Sequence, residues 1–441
     1  MYKIASYIRK IHDLVSRCTK HYMFGFVRGH FYIDDHRVRE LGNLHQSGNR
    51  QEIIDEYEKK LSLLIGSGYG VSFAAGRMAF YVLMKVLNIG DGDEVVLTGF
   101  TCSVMVNAVW RVGATPVFAD IDENTFGSDA KAIENKITPR TKLIVAQHSF
   151  GIPCKIRPIV EVAKKHNIFL LEDSAITLDT SVDGIKVGNW GDAAMFSTDH
   201  SKPLNTLIGG FLYTHNQELF EKVVKYVETL PHLNVDHQKR LYNRFIFERK
   251  YYRPQKYPKA TFIEYVQLAK RKFNPTQNNY TFLEADYNKK SFNDSYPYPA
   301  RMPAFLAQIG LFELERWNKE KERRQDLLRK YLDIAQKFNF EKYLPKSYFD
   351  PNLDIVPLRF VFTHPEFEAL LKRMSKFIDI NWIWFQNPII CTPDGPESVG
   401  YRFGSCPVSE EISKKIINFP CVVEEGWEKE LLQLFGKMIC N

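Results

Sequence analysis

Two neighbouring stretches of the sequence decide the fold: residues 168–175, IFLLEDSA, and residues 193–213, AAMFSTDHSKPLNTLIGGFLY. The first stretch and both ends of the second are short apolar runs bounded by glycine or polar residues, which is typical of buried strands. A polar, turn-rich bend that carries Lys202 joins the two ends of the second stretch. Asp173, Ser197 and Lys202 therefore lie at or just after the ends of predicted strands.

Strand and helix patterns alternate from about residue 50 to residue 215. Further apolar runs predict strands at 93–98, 115–122 and 142–150. Helices are predicted over Gln51–Gly66, Gly76–Leu87, Ser103–Val112 and Ile156–His166. This alternation favours an α/β fold with a mostly parallel sheet covered by helices on both faces. Because such sheets bind ligands at the carboxyl ends of their strands, we expect the three polar residues above to share one site.

The composition predicts a folded, soluble protein. Of 441 residues, 44% are hydrophobic and 25% are charged, which is close to the globular average and excludes dominant disorder. The seven cysteines are scattered without a CxxC pair, which argues for reduced thiols and against a zinc site or a disulfide framework. We find no apolar run of about 18 residues and no secretory signal, and we expect a cytoplasmic location.

The net charge of +7 is concentrated in two segments. Residues 1–22 combine helical apolar spacing with basic residues, which fits a helix on an anionic membrane or, as we favour, a helix packed on the protein or on a partner subunit. Residues 239–272 hold eleven Lys or Arg and two Glu among many aromatic residues. They are typical of a grip on lipid headgroups, a phosphorylated substrate or nucleic acid. No nucleic-acid motif accompanies them, so we favour a solvated or subunit-facing surface insertion and expect no nucleic-acid partner.

The C-terminal part predicts a second, smaller α+β domain. Residues 300–335 show one long helical pattern, 353–362 a strand, and Pro365–Lys376 and Glu425–Met438 two helices. The chain is long enough for two domains. We expect three parts: an N-terminal basic extension over 1–50, a large domain over 51–310 with the basic insertion at 230–298, and a small domain over 311–441.

The lysine at the bend suits covalent chemistry on a carbonyl, for which pyridoxal 5′-phosphate is the clearest partner. A carboxylate at the end of a buried strand, Asp173, suits the cofactor's protonated pyridine nitrogen. Gly76, at the start of a predicted helix, and Ser197 suit its phosphate. Taken singly, a solvated loop lysine and a turn aspartate are the common interpretations.

The order of these residues resembles that in the DegT-like sugar aminotransferases, a branch of the fold type I pyridoxal-phosphate enzymes related to aspartate aminotransferase. The resemblance rests on LNIGDGDEVVLTGFT, GATPVFADIDENTF, IFLLEDSA, FSTDHSKPLNTLIGG, RMPAFLAQIGLFELERW and CPVSEEISKKIINFPC. It implies that Lys202 is the Schiff-base lysine, that Asp173 pairs with the pyridine nitrogen and that Ser197 binds phosphate. It also implies a homodimer with the active site between subunits.

Four positions depart from the family pattern. Gly76 and Arg77 stand where the family has a Gly-Thr pair that binds phosphate, and Cys102 stands where an aromatic ring usually covers the cofactor. Ile176 replaces a Gln or His near the phenolic oxygen, and Pro299 replaces an asparagine of the neighbouring subunit. Because the lysine and the aspartate remain, we expect an active enzyme of a divergent subgroup.

The resemblance implies that an amino donor such as glutamate passes its amino group through the cofactor to a keto-sugar carried on a nucleotide. Two alternatives stay open. One is a pyridoxal-phosphate-dependent sugar dehydratase or lyase. The other is a non-catalytic, regulatory relative that uses the pocket or the basic insertion for docking.

Overall fold

The fold is described by a computed structural model over residues 24–47, 50–273 and 296–440. Its strands are, in chain order, β1 (Tyr69–Phe73), β2 (Glu94–Thr98), β3 (Thr101–Cys102), β4 (Thr115–Ala119), β5 (Thr141–Gln147), β6 (Phe169–Asp173), β7 (Ser181–Val182), β8 (Ile185–Lys186), β9 (Ala193–Ser197), β10 (Gly210–Thr214), β11 (Leu353–Asp354), β12 (Arg359–Thr363), β13 (Ile389–Ile390) and β14 (Ile416–Pro420). The predicted helix within residues 1–22 lies outside the described residues.

The helices of the described residues are α1 (Asp35–Ser47), α2 (Gln51–Ile65), α3 (Gly76–Val86), α4 (Ser103–Arg111), α5 (Ala130–Glu134), α6 (Ile156–His166), α7 (Gln217–Glu228), α8 (Val235–Tyr251), α9 (Tyr257–Phe273), α10 (Ala304–Glu315), α11 (Trp317–Lys337), α12 (Phe367–Met374), α13 (Pro407–Ser413) and α14 (Glu428–Ile439). No helix in these ranges is both long enough and apolar enough to cross a membrane.

A seven-stranded sheet forms the core, in the order β1, β10, β9, β6, β5, β2, β4. β10 runs antiparallel to both of its neighbours, and the remaining pairs are parallel. Every residue of β2 and of β10 is buried, as expected for strands covered on both faces. The predicted α/β class with a mostly parallel sheet is confirmed.

Strand β1 was missed by the sequence analysis because YGVSF is short and contains a glycine in its interior. The structure accounts for that glycine. A Cβ atom on Gly70 would lie 2.1 Å from the ring of Phe211 in β10, so the ring occupies the space that a side chain would need. The edge strand is thus fixed by antiparallel pairing with β10.

The long helix predicted over 300–335 is two helices, α10 and α11, which meet at Arg316. The backbone of Arg316 (φ −103°, ψ −4°) departs from ideal helical values. Directly after it, the buried indole of Trp317 donates a hydrogen bond to Asp179 Oδ2 at 3.0 Å. This tertiary anchor redirects the chain at a point where the helical pattern continues.

The C-terminal residues pair β12 with β14 in an antiparallel sheet and pack helices on it. Tyr331 of α11, Phe360 of β12 and Phe435 of α14 form one fully buried aromatic cluster, with ring centroids 4.7 to 5.3 Å apart. This arrangement has the expected α+β character. The domain boundaries given above remain predictions.

The interpretation of residues 239–272 as a solvated or subunit-facing surface insertion is wrong for the face of α8 that packs on the protein's own core. Leu241, Phe245 and Glu248 of α8 are buried, and so are Tyr252 and Tyr257 after it. Charge alone misled the prediction because some basic residues of this segment are paired internally.

Candidate active site

The structure brings Asp173 and Lys202 together at the carboxyl ends of β6 and β9. These strands are parallel neighbours, and Asp173 lies opposite Met195. The Asp173 carboxyl is only 4% exposed, and its Oδ1 accepts a hydrogen bond from Ala175 N at 2.9 Å. Burial raises the pKa of Asp173, whereas the Ala175 amide and the positive charge of Lys202 act in the opposite direction. A buried carboxyl of this kind favours a cationic partner.

Gly76 and Ser197 meet at the N-terminus of α3. A Cβ atom on Gly76 would lie 3.4 Å from Ser197 Cβ and 3.3 Å from Phe196 O. The N-cap residue, Ala75, provides no side-chain hydrogen bond to the first amides of the helix. Unsatisfied amides at a helix start, next to a hydroxyl, can bind a phosphate. The sequence prediction for these two positions therefore describes one local cluster.

Gly210 lets β10 pass close to this helix start. A Cβ atom at Gly210 would lie 2.2 Å from Ala75 C and 2.2 Å from Gly76 N, far inside van der Waals contact. A glycine is therefore required here for a packing reason. The approach holds the first turn of α3 against the sheet at the point where Ser197 ends β9.

Lys202 contacts an aromatic residue that the sequence analysis did not single out. Its Nζ lies 4.6 Å from the ring centroid of Trp384, within the range of a cation–π interaction. The guanidinium of Arg359 stacks on the same ring at 3.4 Å. The signal in the sequence was the aromatic run INWIWF at 380–385, which has no strand or helix periodicity to place it.

The loop that carries Lys202 is anchored by a fully buried carboxylate, Glu248 of α8. His200 Nδ1 lies 3.3 Å from Glu248 Oε1, and Asn205 Nδ2 donates to Glu248 Oε2 at 3.4 Å. Arg244 Nε donates to Oε1 at 2.7 Å. Burial raises the pKa of Glu248, but the charge of Arg244 and the bond from His200 outweigh it and hold the pKa at about 2. We call Glu248, His200, Asn205 and Arg244 the Glu248 cluster.

The N-terminal segment also supports this loop. His30 Nε2 lies 2.8 Å from Asn205 O, and Asn205 Nδ2 donates to Arg28 O at 3.1 Å. The Arg28 guanidinium is itself held by Glu313 and Glu320 at 2.6 and 2.5 Å. Residues 24–33 and the basic insertion, whose roles the sequence leaves open, thus pack against the segment that positions Lys202.

Arg77 and Cys102 lie in the same region. A hydrogen bond with Cys391 is the largest cause that lowers the pKa of Cys102, to about 7, and the positive charges of Lys202 and Arg77 add to it. Tyr298, the residue before Pro299, donates its hydroxyl to Arg77 O at 3.3 Å. Cys102 therefore lies within electrostatic reach of both Lys202 and Arg77.

Ile176 differs from the polar residues in its surroundings. It is 7% exposed and belongs to an apolar cluster with Phe100 and Phe150. This position offers no hydrogen bond from its side chain, in agreement with the departure noted in the sequence.

The side chains present fit pyridoxal phosphate. Lys202 supplies an amine, Asp173 a buried carboxyl without a cationic hydrogen-bond partner among the described residues, and the α3 N-terminus with Ser197 a phosphate cradle. In the described part of the chain, no group of three or more His, Cys, Asp or Glu side chains is arranged to hold a metal ion.

The fold is that of the fold type I pyridoxal-phosphate aminotransferases. The solved structure of Spr1654 from Streptococcus pneumoniae, in its PMP form, has a TM-score of 0.68 at 18% sequence identity and covers 92% of this chain and 97% of that one. The resemblance inferred from the sequence is confirmed: residues 33–244 match the model of the DegT/DnrJ/EryC1/StrS aminotransferase family.

Two curated relatives are similar to part of the chain. The spore coat polysaccharide biosynthesis protein SpsC of Bacillus subtilis is 36% identical over 193 residues, which are 43% of this chain and 50% of that protein. The GDP-perosamine synthase of Caulobacter vibrioides is 37% identical over 170 residues, 38% of this chain and 46% of the synthase. The matched stretch thus spans about half the length of these relatives.

Proposed function

We propose that this protein is a pyridoxal-phosphate-dependent aminotransferase that moves an amino group from glutamate, or a similar donor, to a keto-sugar carried on a nucleotide. The observation that carries the proposal is the buried Asp173 carboxyl within electrostatic reach of Lys202 at adjacent strand ends, beside the uncapped start of α3. A nucleotide-linked sugar is supported by the name of one relative, a GDP-perosamine synthase. A role in polysaccharide synthesis is supported by the name of another.

Asp173 is the residue that would bind the cofactor's ring nitrogen. Bound pyridoxal phosphate supplies a carbonyl that condenses with amines and a pyridinium ring that draws electrons from the substrate. Burial disfavours the ionised form of the Asp173 carboxyl. A cation beside it offsets this cost, so the carboxylate in turn keeps a proton on its partner.

Lys202 is the residue that would bind the cofactor's carbonyl carbon and move protons. Its Nζ lies over Trp384, and its backbone N donates to Asp199 O at 2.9 Å in a tight turn. The amine is therefore held at the end of β9 by a fixed loop and an aromatic wall. As a free amine, Nζ can take a proton from a substrate carbon and return it to another atom.

Gly76, Ser197 and the first amides of α3 would bind the phosphate group. The Gly76 position leaves the backbone open to a ligand, and Ser197 places its hydroxyl nearby. Arg77, in the first turn of the same helix, adds a positive charge.

A homodimer and a cytoplasmic location belong to the same proposal. The cytoplasmic location is supported by the free cysteines at 102, 154, 391, 406, 421 and 440.

The test is the absorbance spectrum of the purified protein with pyridoxal phosphate, followed as glutamate is added. We expect a band at roughly 400–430 nm that shifts toward about 330 nm with glutamate. The band is expected to be absent in Lys202→Ala and kept in Lys142→Ala, a control at an exposed position of β5.

The acceptor is tested by supplying nucleotide-linked keto-sugars with glutamate and analysing the products by mass spectrometry. An amino-sugar and a keto acid in equal amounts support transamination. A deoxygenated sugar without net amine transfer would support a dehydratase or lyase instead. The absence of any cofactor band would refute the enzyme proposal and support the non-catalytic alternative.

A further inference from the structure

Cys102 and Cys391 are brought into contact by two short strands that are far apart in the sequence. β3 pairs in parallel with β13, and Cys102 lies opposite Ile390, the residue before Cys391. Cys391 is thus a diagonal neighbour of Cys102: a strand spacing of about 4.7–4.9 Å and a rise of about 3.3 Å per residue give a Cα separation of roughly 6 Å, within the range of about 4.4–6.8 Å that disulfides span. The positive φ of Cys391 (60°) ends the strand's alternation of side-chain faces at this residue. Each thiol is also the largest cause of the other's pKa shift, which places the two side chains close together.

Further hydrogen bonds hold the two cysteines in this register. Thr101 N donates to Pro388 O at 3.1 Å, and Ser103 Oγ donates to Cys391 O at 2.7 Å. The backbone on either side of Cys102 is therefore tied to the segment that carries Cys391.

The two thiols differ in their chemistry. The hydrogen bond with Cys391, the Val104 amide at the start of α4 and the charges of Lys202 and Arg77 lower the pKa of Cys102 to about 7. The same hydrogen bond raises the pKa of Cys391. A thiolate is the reactive form of cysteine, so Cys102 is the nucleophile of the pair and Cys391 its hydrogen-bond donor.

The other described cysteines lack this environment. Cys154, Cys406 and Cys421 are buried, and burial raises the pKa of Cys406 to about 11 and that of Cys421 to about 12. Cys440 is exposed, and its place one residue beyond the end of α14 makes it a suitable control.

We propose that Cys102 and Cys391 form a reversible dithiol–disulfide site, oxidised by low-molecular-weight disulfides such as oxidised glutathione, that links β3 to β13 beside Lys202. The Cys102 thiolate attacks one sulfur of the external disulfide and releases one thiolate. Cys391 Sγ then attacks Cys102 Sγ and releases the second thiolate, which takes the proton of Cys391. The external disulfide is reduced to two thiols, and the two protein thiols are oxidised to one disulfide.

This site is independent of the proposed transamination because it needs only the two thiols and the oxidant. Its position nonetheless gives it a consequence. Oxidation removes the Cys102 thiolate, whose charge interacts with those of Lys202 and Arg77, and it joins residues of the first and last thirds of the chain by a covalent bond.

The test uses the full-length protein in defined mixtures of reduced and oxidised glutathione, followed by rapid alkylation and peptide mass mapping. We expect a linked pair of peptides that contain Cys102 and Cys391, about 2 Da lighter than their sum. The link should form in Cys440→Ser as in the wild type. In Cys391→Ser, Cys102 should instead retain one glutathione.

Two results would overturn the proposal. One is stable glutathione addition at Cys102 of the wild type without the internal link; the other is no modification of Cys102 at all. Alkylation kinetics give a second measurement: the rate at Cys102 should be half-maximal near pH 7, and Cys391→Ala should move that midpoint to higher pH. A midpoint at about 8.5, the value of an ordinary thiol, in both proteins would contradict the assigned roles.

Discussion

Replacing Glu248 with glutamine tests whether the Glu248 cluster positions the Lys202 loop. The substitution keeps the size and planarity of the side chain but removes the negative charge. Glu248 is fully buried. Its carboxylate accepts hydrogen bonds from Arg244 and Asn205 and lies within hydrogen-bond distance of His200. The glutamine therefore leaves the Arg244 charge partly uncompensated and weakens the hold on both ends of the loop segment 200–205.

The magnitude follows from the pKa of Glu248, which falls from 4.5 in the unfolded chain to about 2 in the fold. A carboxyl group whose pKa is lower in the fold than in the unfolded chain stabilises the fold at pH values above the unfolded pKa. This contribution is lost as the pH falls from 4.5 toward 2. It amounts to about 3 kcal/mol at pH 7 and about 2 kcal/mol at pH 3.5. Removing one partner of a buried ion pair commonly lowers the free energy of unfolding by about 3–5 kcal/mol, which agrees with this value.

The assay measures the free energy of unfolding with urea at pH 7 and pH 3.5, together with the affinity for pyridoxal phosphate at pH 7. We expect Glu248→Gln to lose about 3 kcal/mol at pH 7 and less at the lower pH. We also expect cofactor affinity to fall about tenfold, equivalent to about 1.4 kcal/mol. Glu264→Gln is the matched control, because Glu264 also contacts Arg244 but makes no contact with the loop in its ion pair or hydrogen bonds.

Wild-type cofactor affinity in Glu248→Gln would refute the positioning role even if stability fell. An equal loss of affinity in both variants would have the same meaning, since the effect would then follow stability rather than contact with the loop. An unchanged free energy of unfolding would refute the account of the buried charge.

Two further predictions concern the phosphate side and the ring side of the site. Gly210→Ala should lower the free energy of unfolding by about 1–3 kcal/mol, measured by urea unfolding, because its Cβ would lie 2.2 Å from the backbone of Ala75; Gly436→Ala, whose Cβ would meet atoms only at 3.6 Å or beyond, should show no such loss. Asp173→Asn should leave the cofactor-free protein at least as stable as the wild type at pH 7. Burial raises the pKa of Asp173 above its ordinary value of 3.8, so ionising this carboxyl destabilises the fold at pH values above 3.8. The same variant should bind pyridoxal phosphate at least about tenfold more weakly, measured by absorbance titration, and a parallel loss of stability and affinity would contradict this assignment.

The strand pattern and the local site were predictable because their signals are local. β6 and β9 are short apolar runs that end at Asp173 and Ser197, and the rule that ligands gather at the carboxyl ends of parallel strands joins them. The edge strand β1 escaped prediction because Gly70 is explained only by the Phe211 ring that occupies its place.

The supports of Lys202 were not predictable from the sequence because they come from distant segments. His30, Glu248 and Trp384 belong to three parts of the chain whose patterns carry no sign of one another. Net charge also misdirected the interpretation of residues 239–272. Glu248 is one of only two acidic residues there, yet it is the one that contacts the loop.

The proposed role of Lys202 is tested most directly by reducing the protein with borohydride in the presence of pyridoxal phosphate and mapping the modified peptide. The account predicts that the reduced cofactor is attached to Lys202 Nζ, in the peptide that follows β9. It also predicts that Lys202→Ala carries no such modification, while Lys142→Ala carries it at wild-type level. Attachment at another lysine, or none in the wild type, would contradict the central claim.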